Sequence, residues 1–270
     1  MIKNESFFLQ FFFKKNCFIF LFFSFFFAYP QEKLNAEIRV GYFLKAKNSL
    51  KNNAKLHSEE FWLVANNKES VFKAKDAYVF DSLKAQGLKF EQLLSHFDLK
   101  GQSNIFIKNK KIEFTNSVNV DHELGYIEGG TWNWQIVNEY KEILGLKCKK
   151  ATITKYGRNW IAYFTEDYPM PFGPYKFNNL PGLILEVFDD KNDYSFTATS
   201  IEKFKQSYAV SRFSKPKFFS KSDYLKAKKN IESDFSLGGL VIYSTEDLKK
   251  FNNSYNERMK YDNPLELALD

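Results

Sequence analysis

The stretch Phe177-Asn178-Asn179-Leu180-Pro181-Gly182-Leu183-Ile184-Leu185-Glu186-Val187 decides the fold. Pro181 presets φ for the second position of a tight turn and Gly182 tolerates a positive φ at the third, so Leu180 to Leu183 reads as a type II turn. A strand follows at once, with Leu183, Leu185 and Val187 toward one side and Ile184, Glu186 and Phe188 toward the other. A strand apolar on nearly both sides belongs inside a sheet. Upstream, Trp160, Ala162 and Phe164 alternate with Ile161 and Tyr163, and Cys148, Lys150, Thr152 and Thr154 alternate with Lys149, Ala151 and Ile153. The reversals at Leu144-Gly145 and Tyr156-Gly157-Arg158-Asn159 are short, which makes these segments antiparallel neighbours. Trp132, Trp134, Ile136 and Asn138 share one face of a further strand that continues through Tyr140. Downstream, Asp189 to Asp193 reverses the chain and Tyr194 to Ile201 pairs back.

Farther out the strands are short: Asn35–Leu44, Glu60–Ala65, Ser70–Phe72, Ile105–Ile107, Lys111–Phe114 and Leu124–Ile127. Between them, residues about 73–100 fit neither the helical nor the strand period and contain Gly87, so they read as a variable insertion with one short helix around Phe90 to Phe97. The segment about 216–260 turns helical. Ser222 before Asp223 caps an amphipathic helix to about Phe235, a short Leu240-Val241-Ile242 strand follows, and Ser244 with Asp247 three residues on opens a second, mostly polar helix. The tail Tyr261 to Asp270 is expected to be loosely held. The pattern predicts a mainly β (α+β) fold, a curved antiparallel β-sheet with C-terminal helices, in a single domain over residues 29–270.

Composition narrows the function classes. Of 270 residues, 44% are apolar, ample for a core, and the net charge of +7 is spread thinly rather than gathered on one stripe, which argues against a nucleic-acid partner. Lys3, Lys14 and Lys15 precede an apolar run from Cys17 to Ala28 that is short for a membrane span. Residues 1–28 read as a secretory signal peptide, with an uncleaved anchor as the alternative, and no transmembrane span is expected after cleavage. Export places the chain in the periplasm or at the outer-membrane or cell surface. Cys148 is then the only cysteine left, so no intrachain disulfide forms and Cys148 reads as a small buried strand residue.

No catalytic residue, metal ligand or cofactor site emerges. His57, His96 and His122 lack metal-like or triad-like neighbours, and no nucleophile elbow is present. Glu166-Asp167 and Asp189-Asp190 are adjacent carboxylates that point apart on a strand or turn. The Asp189-to-Asp193 loop has calcium-like spacing, but Lys191 interrupts it and a solvated turn is the plainer reading. Glu186, amid apolar neighbours, is expected to pair with Arg158 or with a lysine on an adjacent strand. Trp132, Trp134, Arg158, Trp160 and Phe164 are the candidate ligand-binding residues, although a cross-strand aromatic ladder accounts for them equally.

Leu180, Pro181, Gly182, Leu183 and Ile184, preceded by Asn179 where a glycine would complete the motif, resemble the naming motif of the GLPGLI family of exported proteins from Bacteroidota-type Gram-negative bacteria. Further points of likeness are Gly145-Leu146-Lys147-Cys148-Lys149-Lys150-Ala151, the Gly157-Arg158 turn, Phe172-Gly173-Pro174 and Asn263-Pro264-Leu265-Glu266-Leu267. The resemblance implies an exported, β-rich protein of unestablished function and implies no catalytic residues. By fold analogy the sheet looks like that of periplasmic lipoprotein carriers. Two functions are therefore expected. One is a non-enzymatic binding protein whose concave aromatic face holds an apolar ligand, a peptide or an envelope protein partner. The other is an accessory protein of outer-membrane machinery acting through surface contacts. An enzyme is the least favoured.

Overall fold

The computed structural model of the chain describes residues 33–89, 97, 103–117, 123–130, 132–209, 216–233 and 244–268. The proposed signal peptide, the strand at Leu240–Ile242 and, apart from Phe97, the helix around Phe90 lie outside these residues. The described strands are β1 (Lys33–Ala46), β2 (His57–Ala65), β3 (Glu69–Ala74), β4 (Ser103–Lys108), β5 (Lys111–Ser117), β6 (Glu123–Gly129), β7 (Gln135–Ile143), β8 (Leu146–Lys155), β9 (Arg158–Thr165), β10 (Leu183–Asp189), β11 (Tyr194–Ala209) and β12 (Lys217–Phe219). The described helices are α1 (Lys75–Ala85), α2 (Lys221–Ser233) and α3 (Thr245–Met259). All twelve strands belong to one curved sheet in the order β12-β6-β5-β4-β3-β2-β1-β11-β10-β9-β8-β7. Every neighbouring pair is antiparallel except β12 with β6, so the mainly β class with C-terminal helices holds.

The deciding stretch forms β10, hydrogen-bonded between β9 and β11 inside the sheet. Its pairing slips between Ile184 and Glu186, so Leu185 sits in a bulge and the simple alternation fails. Leu183, Ile184, Leu185 and Val187 are all buried, and the Tyr42 hydroxyl donates to the Ile184 carbonyl at 2.6 Å beside the bulge. The turn before it also differs from the expected type II geometry. Gly182 has no positive φ; the left-handed residue is Asn179, at φ 72°. Glycine is needed at 182 for space, because a Cβ there would lie 2.0 Å from the Thr165 carbonyl oxygen.

The hairpins joining β7 to β9 form as their sequences predict. Leu144 and Gly145 (φ 52° and 77°) and Tyr156 and Gly157 (φ 54° and 74°) place two successive positive-φ residues at each reversal, matching the twist of the flanking strands. Trp132 and Trp134, however, precede β7 and do not share a strand face with Ile136 and Asn138. β7 itself is a sheet edge. Its pairing with β8 jumps from Val137–Lys150 to Tyr140–Lys149, and such an irregularity blunts an edge against further strand addition.

The sheet buries both faces, unequally. On the inner face an extended core runs from Ile38, Val40 and Tyr42 through Ile105 and Phe114 to Trp160, Phe164, Phe177 and Leu183. On the outer face Leu34, Val64, Val71, Tyr78, Phe106, Phe204 and Tyr208 form a smaller cluster, with Tyr78 supplied by α1. Residues 75–85 are thus a helix packed on the sheet, where the sequence reads as an irregular insertion. Lys73 pairs there with Asp81; burial works against its charge, yet Tyr208 and Asp81 more than offset that and hold its pKa above the usual lysine range. At the C-terminal helices the cap of α2 is Ser220 rather than Ser222, with the Asp223 N–H donating to Ser220 Oγ at 3.1 Å. Ser244 caps α3 as expected, accepting from the Asp247 N–H. No helix among the described residues is long and apolar enough to cross a membrane.

Candidate functional site

The concave face that the sequence marks as a ligand surface is filled by the chain itself. The loop between β9 and β10 carries four prolines, Pro169, Pro171, Pro174 and Pro181, which exclude regular ladder pairing and fold the segment over the inner face. Phe177, at the loop's centre, is fully buried. Its ring packs at 4.7 Å from Trp160, 5.8 Å from Trp132 and 6.4 Å from Trp134, and the Trp134 indole N–H donates to the Asn178 carbonyl at 2.9 Å. Trp132, Arg158, Trp160 and Phe164 are buried, and Trp134 is half-buried. Trp132, Trp134 and Trp160 are thus packed against the chain's own loop, and Trp160 also lines the groove over β7, β8 and β9. Each large apolar side chain so buried contributes about 1.5–3 kcal/mol, so emptying this face for a ligand would cost several such terms.

Beside this plug lies a charged cluster that joins distant parts of the sheet. The Lys176 ammonium, fully buried, reaches Glu266 Oε1 at 2.5 Å, the Tyr126 hydroxyl at 2.5 Å and Glu128 Oε1 at 2.8 Å, which uses its three donors. The rings of Phe114, Tyr126, Tyr156 and Tyr175 surround it within 4.7–5.2 Å. Lys221, in the first turn of α2, lies 3.0 Å from both Glu128 Oε2 and Glu266 Oε2. Two lysines therefore balance two glutamates. Burial opposes ionisation of Glu128, but Lys176 and Lys221 outweigh it and hold its pKa below the ordinary value. Burial, reinforced by the glutamates, raises the pKa values of Tyr126, Tyr156 and Tyr175, so all three hydroxyls stay protonated; Tyr156 donates to Glu128 and Tyr175 to Glu266, while Tyr126 accepts from Lys176. β6 is second in the sheet order and β8 eleventh, yet Glu128 of β6 accepts a 2.9 Å hydrogen bond from Tyr156 at the end of β8. The cluster latches the curled sheet.

Arg158 serves a similar structural end. Its guanidinium donates to Asp189 (2.9 Å), Asp193 (3.4 Å), Asn263 Oδ1 (2.7 Å) and the carbonyls of Pro264 (2.8 Å) and Leu265 (3.0 Å). Asn263 also donates to the Lys47 carbonyl, and its own carbonyl accepts from Tyr194 at 2.6 Å. The tail from 262 is accordingly clamped, not loose. Asp189 and Asp193 are consumed by the arginine and by the Tyr194 N–H, which removes the calcium-like loop from consideration. Glu186 pairs with Lys141 of β7, two strands beyond its neighbour β9, and not with Arg158.

The remaining chemistry is sparse. Among the described residues no cluster of three or more His, Cys, Asp or Glu could hold a metal ion. Burial pushes the Cys148 thiol up to about 11, so it stays a neutral, unreactive thiol. His57 is exposed beside Glu59. A groove of about 570 Å³ and mixed character lies over β7, β8 and β9, lined by Asn133, Gln135, Thr152, Thr154, Lys155, Asn159 and Asp190 together with Ile153, Trp160 and Ile161. The sequence reading missed this groove, and it missed Lys176, Glu128 and Glu266. Only the period-two spacing of Thr152 and Thr154 hinted at a polar strand face.

Comparison with known proteins places these features in context. The family described as N-glycanase peptide, N-terminal domain matches residues 46–229. Two crystal structures of PNGF-II, in space groups P21 and C2, superpose with TM-scores of 0.53 and 0.54 at 15% identity over 73% of this chain. The chain spans about a third of the length of those structures (34% and 33%). A LolA superfamily protein from Nitrosomonas europaea aligns over 66% of this chain and 89% of its own at 7% identity, with a TM-score of 0.27, too low to support the carrier analogy. No curated protein matches the chain. The resemblance to the GLPGLI family is corrected by the match over residues 46–229. Its motif here is a short turn whose glycine answers a local packing demand, and such a turn does not by itself report ancestry.

Proposed function

The chain belongs to the N-glycanase N-terminal domain family, and from that premise we propose that it is an exported, non-catalytic domain that binds glycosylated protein or peptide at its surface. The observation that carries this reading is the occupied concave face. Phe177 and its loop fill the space a carrier would give to an apolar ligand, so a partner meets the outside of the sheet. Hydrolytic release of a glycan needs an acid or base held within reach of the reacting atoms. The half-buried Glu128 and Glu266 and the buried Asp189 and Asp193 are instead each paired with Lys176, Lys221 or Arg158. The basic and apolar stretch over residues 1–28 supports export.

The test uses the full chain with an N-glycosylated protein and the same protein stripped of its glycans. Interferometry reads binding and mass spectrometry reads glycan release. Tighter binding to the glycosylated form with no mass loss is the expected result. Release of glycan by the chain alone, or indifference to the glycan, overturns the proposal.

A further inference from the structure

The groove on the outer face of β7–β9 has the chemistry of a recognition site, and we propose that it takes a neutral, polyhydroxylated ligand, a short oligosaccharide. This assignment rests on the surface-binding reading above and locates it. The register sets the groove's walls. Gln135 pairs with Thr152, Thr152 with Ile161 and Thr154 with Asn159, so their side chains project from one face of three hydrogen-bonded strands. β8 and β9 are paired on both sides there, and β7, the sheet edge, on one. Away from that edge, which an extended peptide would seek, a ligand is read by side chains.

The side chains match hydroxyl groups. Asn133, Gln135 and Asn159 each offer an amide donor and acceptor, and Thr152 and Thr154 each a hydroxyl that does both. One wall is pre-set: Thr154 Oγ1 donates to Asn159 Oδ1 at 2.8 Å, Asn159 Nδ2 donates to Asp190 Oδ2 at 2.9 Å, and the Asp190 N–H donates back to the Asn159 carbonyl at 2.9 Å. On the opposite wall the exposed amides of Asn133 and Gln135 make no side-chain hydrogen bond to another described residue. Ile161, half-buried between Thr152 and Phe188, gives an apolar strip suited to the C–H face of a sugar ring.

The charges in the groove do not favour an ionic ligand. The groove holds one cation, Lys155, and one anion, Asp190. Lys155 lies over the Trp132 and Tyr156 rings at 5.3 and 5.0 Å, and Asp190 is engaged by Asn159, so neither charge dominates. The volume, about 570 Å³, is that of a small-molecule site. Because Trp160 is buried beneath the groove and offers no exposed ring for stacking, affinity is expected on the order of 1 mM.

Titration of the ¹⁵N-labelled full chain with N,N′-diacetylchitobiose and, separately, with mannotriose tests the site. Either sugar should produce saturable shifts at the amides of residues 133–135, 152–155 and 159–161. The double variant Asn133→Ala/Gln135→Ala, which removes side chains that bond no other described residue, should keep its melting temperature and weaken binding by about fivefold or more. Absence of shifts with both sugars up to about 20 mM, shifts confined to other surfaces, or undiminished binding by the double variant overturns the proposal. If glycoprotein binding survives while the groove stays silent, the groove assignment fails and the surface-binding reading stands. If the sugars shift the groove but glycoprotein does not bind, the reverse holds.

Discussion

Replacing Lys176 by methionine tests the latch that closes the sheet. The substitution keeps most of the side-chain volume but removes an ammonium that contacts Glu266, Tyr126 and Glu128 and sits among four rings. Glu128 and Glu266 then share the single cation Lys221, beside the hydroxyls of Tyr156 and Tyr175. Breaking a buried ion pair from one side costs about 3–5 kcal/mol, because the surviving charge stays buried and under-compensated. For a chain of this size each kcal/mol corresponds to roughly 2–4 °C, so the melting temperature should fall by about 6–20 °C. The control is Lys250→Ala, whose partner Glu246 is exposed on α3, and its effect should stay within about 0.5 kcal/mol. Circular dichroism during thermal and urea unfolding measures both. Adding Glu266→Gln to Lys176→Met leaves Glu128 balanced by Lys221 and should recover much of the loss. A cost below about 1 kcal/mol for Lys176→Met would refute the latch.

Further outcomes follow from the same geometry. Gly182→Ala should cost more than about 3 kcal/mol in urea unfolding, since its Cβ would meet the Thr165 oxygen at 2.0 Å, whereas Asn179→Gly, at φ 72°, should be nearly neutral. Glu128 has a folded pKa below its ordinary 4.5; its contribution is present above that value and lost as pH falls through the folded pKa, so unfolding below about pH 4.5 should be shallower in Glu128→Gln. Arg158→Lys cannot reproduce five directed contacts and should expose the 262–268 tail to limited proteolysis. Cys148 should resist a thiol reagent at pH 8 in the folded protein and react on unfolding, because burial raises its pKa to about 11.

Local pattern revealed much of the sheet. In β9, Trp160, Ala162 and Phe164 are all fully buried, as their alternation predicts, and the two positive-φ hairpins fall where Gly145 and Gly157 mark them. The errors arise where long-range packing overrides local period. Trp132 and Trp134 look like strand residues, but their rings are held by Phe177, more than forty residues on, and Trp134 is tied to Asn178. Nothing local singles out Lys176; only the approach of Tyr126, 50 residues before it, and Glu266, 90 after it, makes it a buried cation. The tail is held for the same reason: nothing in its short sequence signals that Arg158 collects its carbonyls. The groove escaped notice because Gln135, Thr152 and Asn159 become neighbours only through strand register.

Native mass spectrometry of the full chain purified from its own envelope tests the central claim most directly, that the concave face is filled by Phe177 and its loop and leaves no room for an internal ligand. The account predicts the bare mass of the chain with no lipid-sized adduct. A stoichiometric lipid-sized mass that survives gentle ionisation would contradict it.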